Sequence, residues 1–134
     1  MTGLVIRLAP YERVLLNGAV IENGDRRASL SIRTPNANVL RLRDAIHPEQ
    51  ANTPVKRTCY LVQLVLAGDS TPADMHQPLI RAIEQLSQVF TDADSRAQLN
   101  QATAHVIGGE HYQALKALRQ LIPREARIFS SKMA

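Results

Sequence analysis

The chain is predicted to be α+β: a small, twisted antiparallel sheet of about five strands over residues 1–50, followed by a bundle of about four helices over residues 51–134. Three observations carry this. Apolar and polar residues alternate through much of residues 4–43, the period of two that half-buried strands need. Asn-Gly steps, which accept the positive φ of tight turns, punctuate the same region. From Thr53 onward the apolar spacing becomes helical, with Thr53-Pro54 and Thr71-Pro72 supplying an N-cap and a first helical position. At 134 residues there is room for one domain or for two tightly packed subdomains, with no need for a disulfide or metal staple.

In the strand half, Leu4, Ile6 and Leu8 alternate with Val5 and Arg7. A turn at Pro10-Tyr11 leads to Arg13-Val14-Leu15-Leu16. Asn17-Gly18 and Asn23-Gly24-Asp25 bracket the very short strand Ala19-Val20-Ile21-Glu22. Leu30 and Ile32 alternate with Ser29, Ser31 and Arg33, and Leu40 and Leu42 with Val39, Arg41 and Arg43; Thr34-Pro35-Asn36 separates these two strands. With the leucines and isoleucines facing the core, Arg7, Arg33, Arg41 and Arg43 point away from it and could share a surface. Edge strands in so small a sheet must be covered or paired, which leaves room for a homodimer.

In the helical half, Pro54–Ala67 should form a central buried helix ended by Gly68, because Tyr60–Leu66 is apolar nearly all round. A second helical stretch from Thr71-Pro72 reaches about Phe90, with Leu79, Ile83, Leu86 and Phe90 on one face and Pro78 expected to kink or split it. Asp92 and Asp94 sit where acids favour a helix start. Asp94–Ile107 and Glu110–Ile122 should form a helical hairpin across Gly108-Gly109, with Tyr112, Leu115, Leu118 and Ile122 as the second helix's apolar stripe. Pro123 interrupts that helix, and Ser130–Ala134 should fray.

The composition is that of a soluble protein, 45% hydrophobic and 21% charged, and no apolar run approaches the ~18 residues of a membrane span. Met1-Thr2-Gly3-Leu4 lacks the basic and then apolar character of a secretory signal, and the single cysteine, Cys59, fits a reducing compartment; a cytoplasmic location without membrane attachment is expected. His47, His76, His105 and His111 have no metal-ligand spacing among themselves or with Cys59, so no metal site is predicted. There is no phosphate-binding glycine loop, dinucleotide fingerprint or nucleophile elbow, and the residues argue for neither an enzyme nor a cofactor.

Charge points elsewhere. Residues 1–60 hold nine Lys/Arg against five acids, eight of the nine being arginine, while residues 61–134 hold seven of each sign. The whole formal net charge of +4 therefore sits in the strand half. Arginine's planar fork of donors suits phosphates and base edges. Arg7, Arg26, Arg27, Arg33, Arg41 and Arg43 are the candidate RNA-binding residues, Arg26 and Arg27 because they flank a turn. Tyr11 is the one aromatic in the strand half, which weakens any model based on stacking single-stranded bases, such as an aromatic sheet platform, and leaves an RNA site to rely on arginine, backbone groups and phosphates.

Asn17-Gly18-Ala19-Val20-Ile21-Glu22-Asn23-Gly24-Asp25-Arg26-Arg27 resembles the signature region of the FlbT family. Val39-Leu40-Arg41 with Asp44, Ala51-Asn52-Thr53-Pro54-Val55-Lys56-Arg57, Tyr60 with Gln63-Leu64, and the run from Gly109 to Arg119 are similar to the family pattern in the same order. Pro10-Tyr11-Glu12 departs from it, since the family typically has glycine between Pro and Glu. The resemblance implies a post-transcriptional regulator of flagellum biogenesis that associates with the 5′ untranslated region of flagellin mRNA and promotes its decay or represses its translation. The strand half alone also resembles the carbon storage regulator family, small RNA binders with about five strands. On that comparison Arg43 falls at an RNA-contacting arginine, whereas the first-strand counterpart falls at Leu8, beside Arg7. Together these readings make the flagellin mRNA leader the expected partner. Arg41→Ala with Arg43→Ala is expected to weaken RNA binding and leave the fold intact. The rival reading is an adaptor whose neutral helical half engages flagellin or another flagellar regulatory protein.

Overall fold

A computed structural model describes residues 3–35 and 37–133, in which five strands precede the first α-helix. The strands are β1 (Leu4–Leu8), β2 (Arg13–Leu16), β3 (Ala19–Glu22), β4 (Ala28–Ile32) and β5 (Val39–Arg41). All pair antiparallel, as expected, but they divide between two sheets. β1 pairs with β4, and β2 lies between β3 and β5. Ile6, Leu8, Val14, Ile32 and Val39 fill the space between the sheets.

Local chemistry explains the turns. Asn17 and Gly18, with φ of 48° and 87°, join β2 to β3 through a two-residue hairpin of the kind whose twist matches the strands. Asn23-Gly24-Asp25 does not make a second hairpin, because β3 and β4 belong to different sheets. Instead the Asn23 side-chain amide donates to the carbonyls of Ala9 and Arg26, both at 2.8 Å, and pins the connecting loop to the end of β1. The turn Ala9–Glu12 closes through a Glu12 N–H to Ala9 O bond of 3.1 Å with Tyr11 in its third position. Tyr11 has φ 61°, a left-handed conformation that costs a non-glycine residue about 1–2 kcal/mol.

β5 departs from simple alternation. It ends at Arg41, and Leu42–Asp44 is a single 3₁₀ turn, so Leu42 is exposed rather than in the core. Val39 and Leu40 are both buried because they face different cores: Val39 the space between the sheets, Leu40 the helices. Arg41, two residues after Val39, is turned inward with it. Thr34-Pro35 follows β4; Asn36 lies outside the described residues.

The helices are α1 (Pro54–Leu66), α2 (Pro72–Val89), α3 (Ala93–Ile107), α4 (His111–Arg119) and α5 (Ile122–Met133). The Thr53, Thr71 and Asp92 side chains accept from the backbone N–H of Lys56, Asp74 and Ser95, so the two predicted threonine caps and Asp92 each satisfy a helix-start donor. The bond from the Ser95 N–H also holds the exposed Asp92 carboxyl below its usual range. Gly68, with φ 82°, terminates α1. Pro78 neither splits nor ends α2; it and Asp74, whose carbonyl loses a helical partner, both lie on the exposed side. Pro123 sits at the start of α5, where a missing N–H is tolerated, and the helix continues through Ser130 to Met133 in place of the expected fraying; Ala134 lies outside the described residues. α3 and α4 form the predicted hairpin across Gly108-Gly109.

Leu79, Ile83, Leu86, Phe90, Leu115, Leu118 and Leu121 are the large side chains of the helical core, with Val55, Cys59, Val62 and Leu66 of α1 at its centre. Two polar clamps tie the segment after β5 to this bundle. The Gln63 amide donates to Ile46 O at 2.9 Å and accepts from Ile46 N–H at 2.7 Å, imitating a strand partner. Arg119 donates to Asp44 O at 3.2 Å and lies 3.4 Å from its carboxylate. Tyr112 packs against both cores.

Candidate nucleic-acid interface

Four of the six arginines singled out above meet in one open groove of about 510 Å³, lined by Arg7, Leu8, Ala9, Arg27, Ala28, Ser29, Arg41 and Arg43. Register explains the meeting. Arg7 pairs with Ser29 and Leu8 with Ala28, so the end of β1 lies beside the start of β4, immediately after Arg27. Arg41 and Arg43 arrive from the end of β5. Arg33 belongs elsewhere: Ile32 pairs with Leu4, at the far end of the sheet from Arg7, and Arg33 lines a separate cleft with Val5, Asn38, Glu110 and Gln113. Arg26 is exposed on the adjoining loop, outside the groove lining.

The groove is organised by a carboxylate. Glu12 Oε2 lies 2.7 Å from Arg41 Nε, and Oε1 2.7 Å from Arg41 Nη2, a two-point contact that fixes both position and plane. Glu12 Oε1 also accepts from Ala9 N–H at 2.9 Å, and Arg43 Nε stands 3.6 Å from Oε2. Arg41 Nη2 reaches on to the carbonyl of Arg7 at 2.6 Å. β1 and β5 share no backbone ladder, so this side chain bridges the seam between the two sheets. The Arg41 bonds, helped by the Ala9 N–H and opposed by burial, hold the Glu12 carboxyl down at about 2. The same contact raises Arg41 above its ordinary value.

This geometry corrects one expectation. Arg41 does not point away from the core: its side chain is 13% exposed and that of Glu12 6%, against 57% for Arg43. Arg41→Ala would leave a buried carboxylate unpaired, so the fold should not tolerate that change as it would Arg43→Ala. With Glu12 and Arg41 cancelling each other, the charge left to the groove is that of Arg7, Arg27 and Arg43. Arg7 and Arg27 form no ion pair among the described residues. Three cations on one open groove can bind an anion carrying several phosphates. Glu12 and Asn23 are the organising residues that pattern reading passes over. The available signal is that Glu12 is the one acid between β1 and β2, in an otherwise basic segment.

Other features have different characters. A cleft of about 560 Å³ between α1 and α2 is lined by Leu61, Leu86, Val89, Tyr60 and Pro48, with Arg57 its one charged residue. Burial pushes the Cys59 thiol up to about 12, so it stays protonated. His111 is buried and shifted below its ordinary value by that burial. Among the described residues no three His, Cys, Asp or Glu side chains cluster as metal ligands, and no helix is long and apolar enough to cross a membrane.

Comparison with known proteins follows the same order along the chain. The family described as "Flagellar protein FlbT" matches residues 4–129. A "Probable flagellum biosynthesis repressor protein FlbT" of Rhodopseudomonas palustris (strain TIE-1) is 33% identical over 129 residues, covering 95% of this chain and 98% of the relative. Another, from Chelativorans sp. (strain BNC1), is 35% identical over 127 residues, covering 94% and 86%. The "Flagellum biosynthesis repressor protein FlbT" of Caulobacter vibrioides (strain ATCC 19089 / CIP 103742 / CB 15) is 30% identical over 122 residues, covering 91% and 86%. No solved structure matches the chain. With a family match from the first strand into the last helix, and relatives aligned over nearly their full length, the chain belongs to the FlbT family.

Proposed function

We propose that the chain is a cytoplasmic post-transcriptional regulator of flagellum production, binding the 5′ untranslated region of flagellin mRNA and promoting its decay or repressing its translation. The observation that carries this reading is the convergence of Arg7, Arg27 and Arg43 on one groove whose lining holds no carboxylate, Glu12 being paired with Arg41. The relatives' description as flagellum biosynthesis repressors supports the regulatory part. Phosphates neutralised by arginines release counterions, so affinity should fall as salt rises. Purified protein titrated against a flagellin leader transcript across a salt series tests this. Arg7→Ala, Arg27→Ala and Arg43→Ala should each flatten the slope of log affinity against log salt by about 0.7, the single-strand value per phosphate. Absence of specific association at low salt would sink the reading.

A second reading is favoured by the apolar cleft between α1 and α2. In it the chain is an adaptor that docks flagellin or another flagellar regulator through its helices and reaches the message indirectly. It predicts that Val89→Asp, on the exposed rim of that cleft, abolishes regulation in cells while any RNA affinity is unchanged.

A further inference from the structure

We infer that Tyr11 is a base-stacking residue at the edge of the arginine groove, contacting a nucleobase of single-stranded RNA whose phosphates lie on Arg7, Arg27 and Arg43; this rests on the RNA reading above. Tyr11 occupies the third position of the turn Ala9–Glu12, after Pro10, where a positive φ is required and glycine is the residue that adopts it without strain. Its φ is 61°, and for a bulky side chain that is a true outlier. Packing does not explain the choice, because Tyr11 is 64% exposed and joins neither hydrophobic cluster. A strained residue whose side chain contributes nothing to the core is a candidate for function.

The surroundings fit that role. Ala9, two residues earlier, lines the groove, and Glu12, the next residue, is locked to Arg41. The Tyr11 N–H donates to Gly24 O at 2.9 Å, fastening the turn to the loop that carries Arg26 and Arg27. The backbone of Tyr11 is therefore held on both sides, two residues after the groove lining at Ala9 and one before the Glu12–Arg41 pair. Sequence-tolerant single-strand sites combine cations that track the backbone with an exposed aromatic ring that takes a base. Tyr11 is also the sole aromatic residue before Tyr60, so the strand half offers one stacking position and no second one.

The test uses the full chain and a flagellin leader transcript. Tyr11→Gly and Tyr11→Asn both remove the ring and keep a residue that accepts positive φ. Each should weaken binding roughly tenfold, the size of one lost stack, without changing the salt slope, since a stack releases no counterions. Tyr11→Gly should at the same time raise the melting temperature, because relief of backbone strain and loss of a base contact move stability and affinity in opposite directions. Tyr11→Trp introduces a tryptophan into a chain that has none; it should retain affinity, and its fluorescence should be quenched on adding the transcript. Wild-type affinity in both ring-less variants, unquenched emission from the Tyr11→Trp protein at saturating RNA, or weakened binding accompanied by a lowered melting temperature would each overturn the inference. Failure of the wild-type protein itself to bind RNA at low salt would instead remove the RNA reading, and this inference with it.

Discussion

Among the described residues, five apolar side chains are buried between the two sheets, whereas nineteen are buried in the cluster formed by the helices and Leu40. The strand half compensates with specific polar contacts: the Glu12–Arg41 pair across the seam, the Asn23 amide pinning a loop, and an Asn-Gly turn. The helical half has polar caps and clamps of its own, but it rests chiefly on area, since each large aliphatic side chain it buries contributes roughly 1.5–3 kcal/mol. A region held by directional contacts can leave charged groups standing in fixed positions around them. A region held by area has no comparable reason to. The candidate RNA groove and the apolar cleft accordingly lie on different halves.

Four substitutions press on that contrast. Phe90→Ala empties the site of a buried aromatic in the helical core and should cost about 4 kcal/mol in urea denaturation. A loss under about 1 kcal/mol would show that the helical half is not held by area. Arg41→Ala strands Glu12 and should cost about 3 kcal/mol, although the residue is a surface arginine by sequence pattern. The Glu12 contribution should also follow pH. Its carboxyl titrates at about 2 in the folded protein against an ordinary 4.5, so its stabilisation is complete above the ordinary value and lost as pH falls from there through 2. Denaturation midpoints over that window should drop for wild type and stay flatter for Glu12→Gln. Smallest is Arg43→Ala, expected within about 0.5 kcal/mol of wild type, because its 3.6 Å approach to Glu12 is loose and exposed. A large loss there would erase the distinction between the positioning arginine and the free ones.

How much of this was legible depended on how local the cause was. Thr53-Pro54, Thr71-Pro72, Asp92 and Asn17-Gly18 act within a few residues, and each did what its chemistry predicts. The division into two sheets was hidden because β1 finds β4 and β2 finds β5, partners set by tertiary packing. Arg41 escapes the pattern for a related reason. Alternation tells which residues share a face, but β5 has a core on both faces, so neither parity is the outside. The arginine groove was half legible: the charge bias located it in the strand half, and only the register separates Arg7 from Arg33. The departure at Pro10-Tyr11-Glu12 from a family pattern with glycine was visible as a spelling difference. Its meaning needed the backbone angle, which is one that glycine favours and tyrosine bears at a cost.

The buried Glu125 carboxylate of α5 accepts from the Val55 N–H at 2.9 Å, closing the start of α1 across seventy residues of sequence. During synthesis that donor cannot meet this partner until residue 125 has emerged, seventy residues later. The strand ladders, by contrast, close entirely within residues 4–41. The chain is thus ordered in time as well as in space, since its basic strands can complete their own pairing while the helical bundle still awaits Glu125.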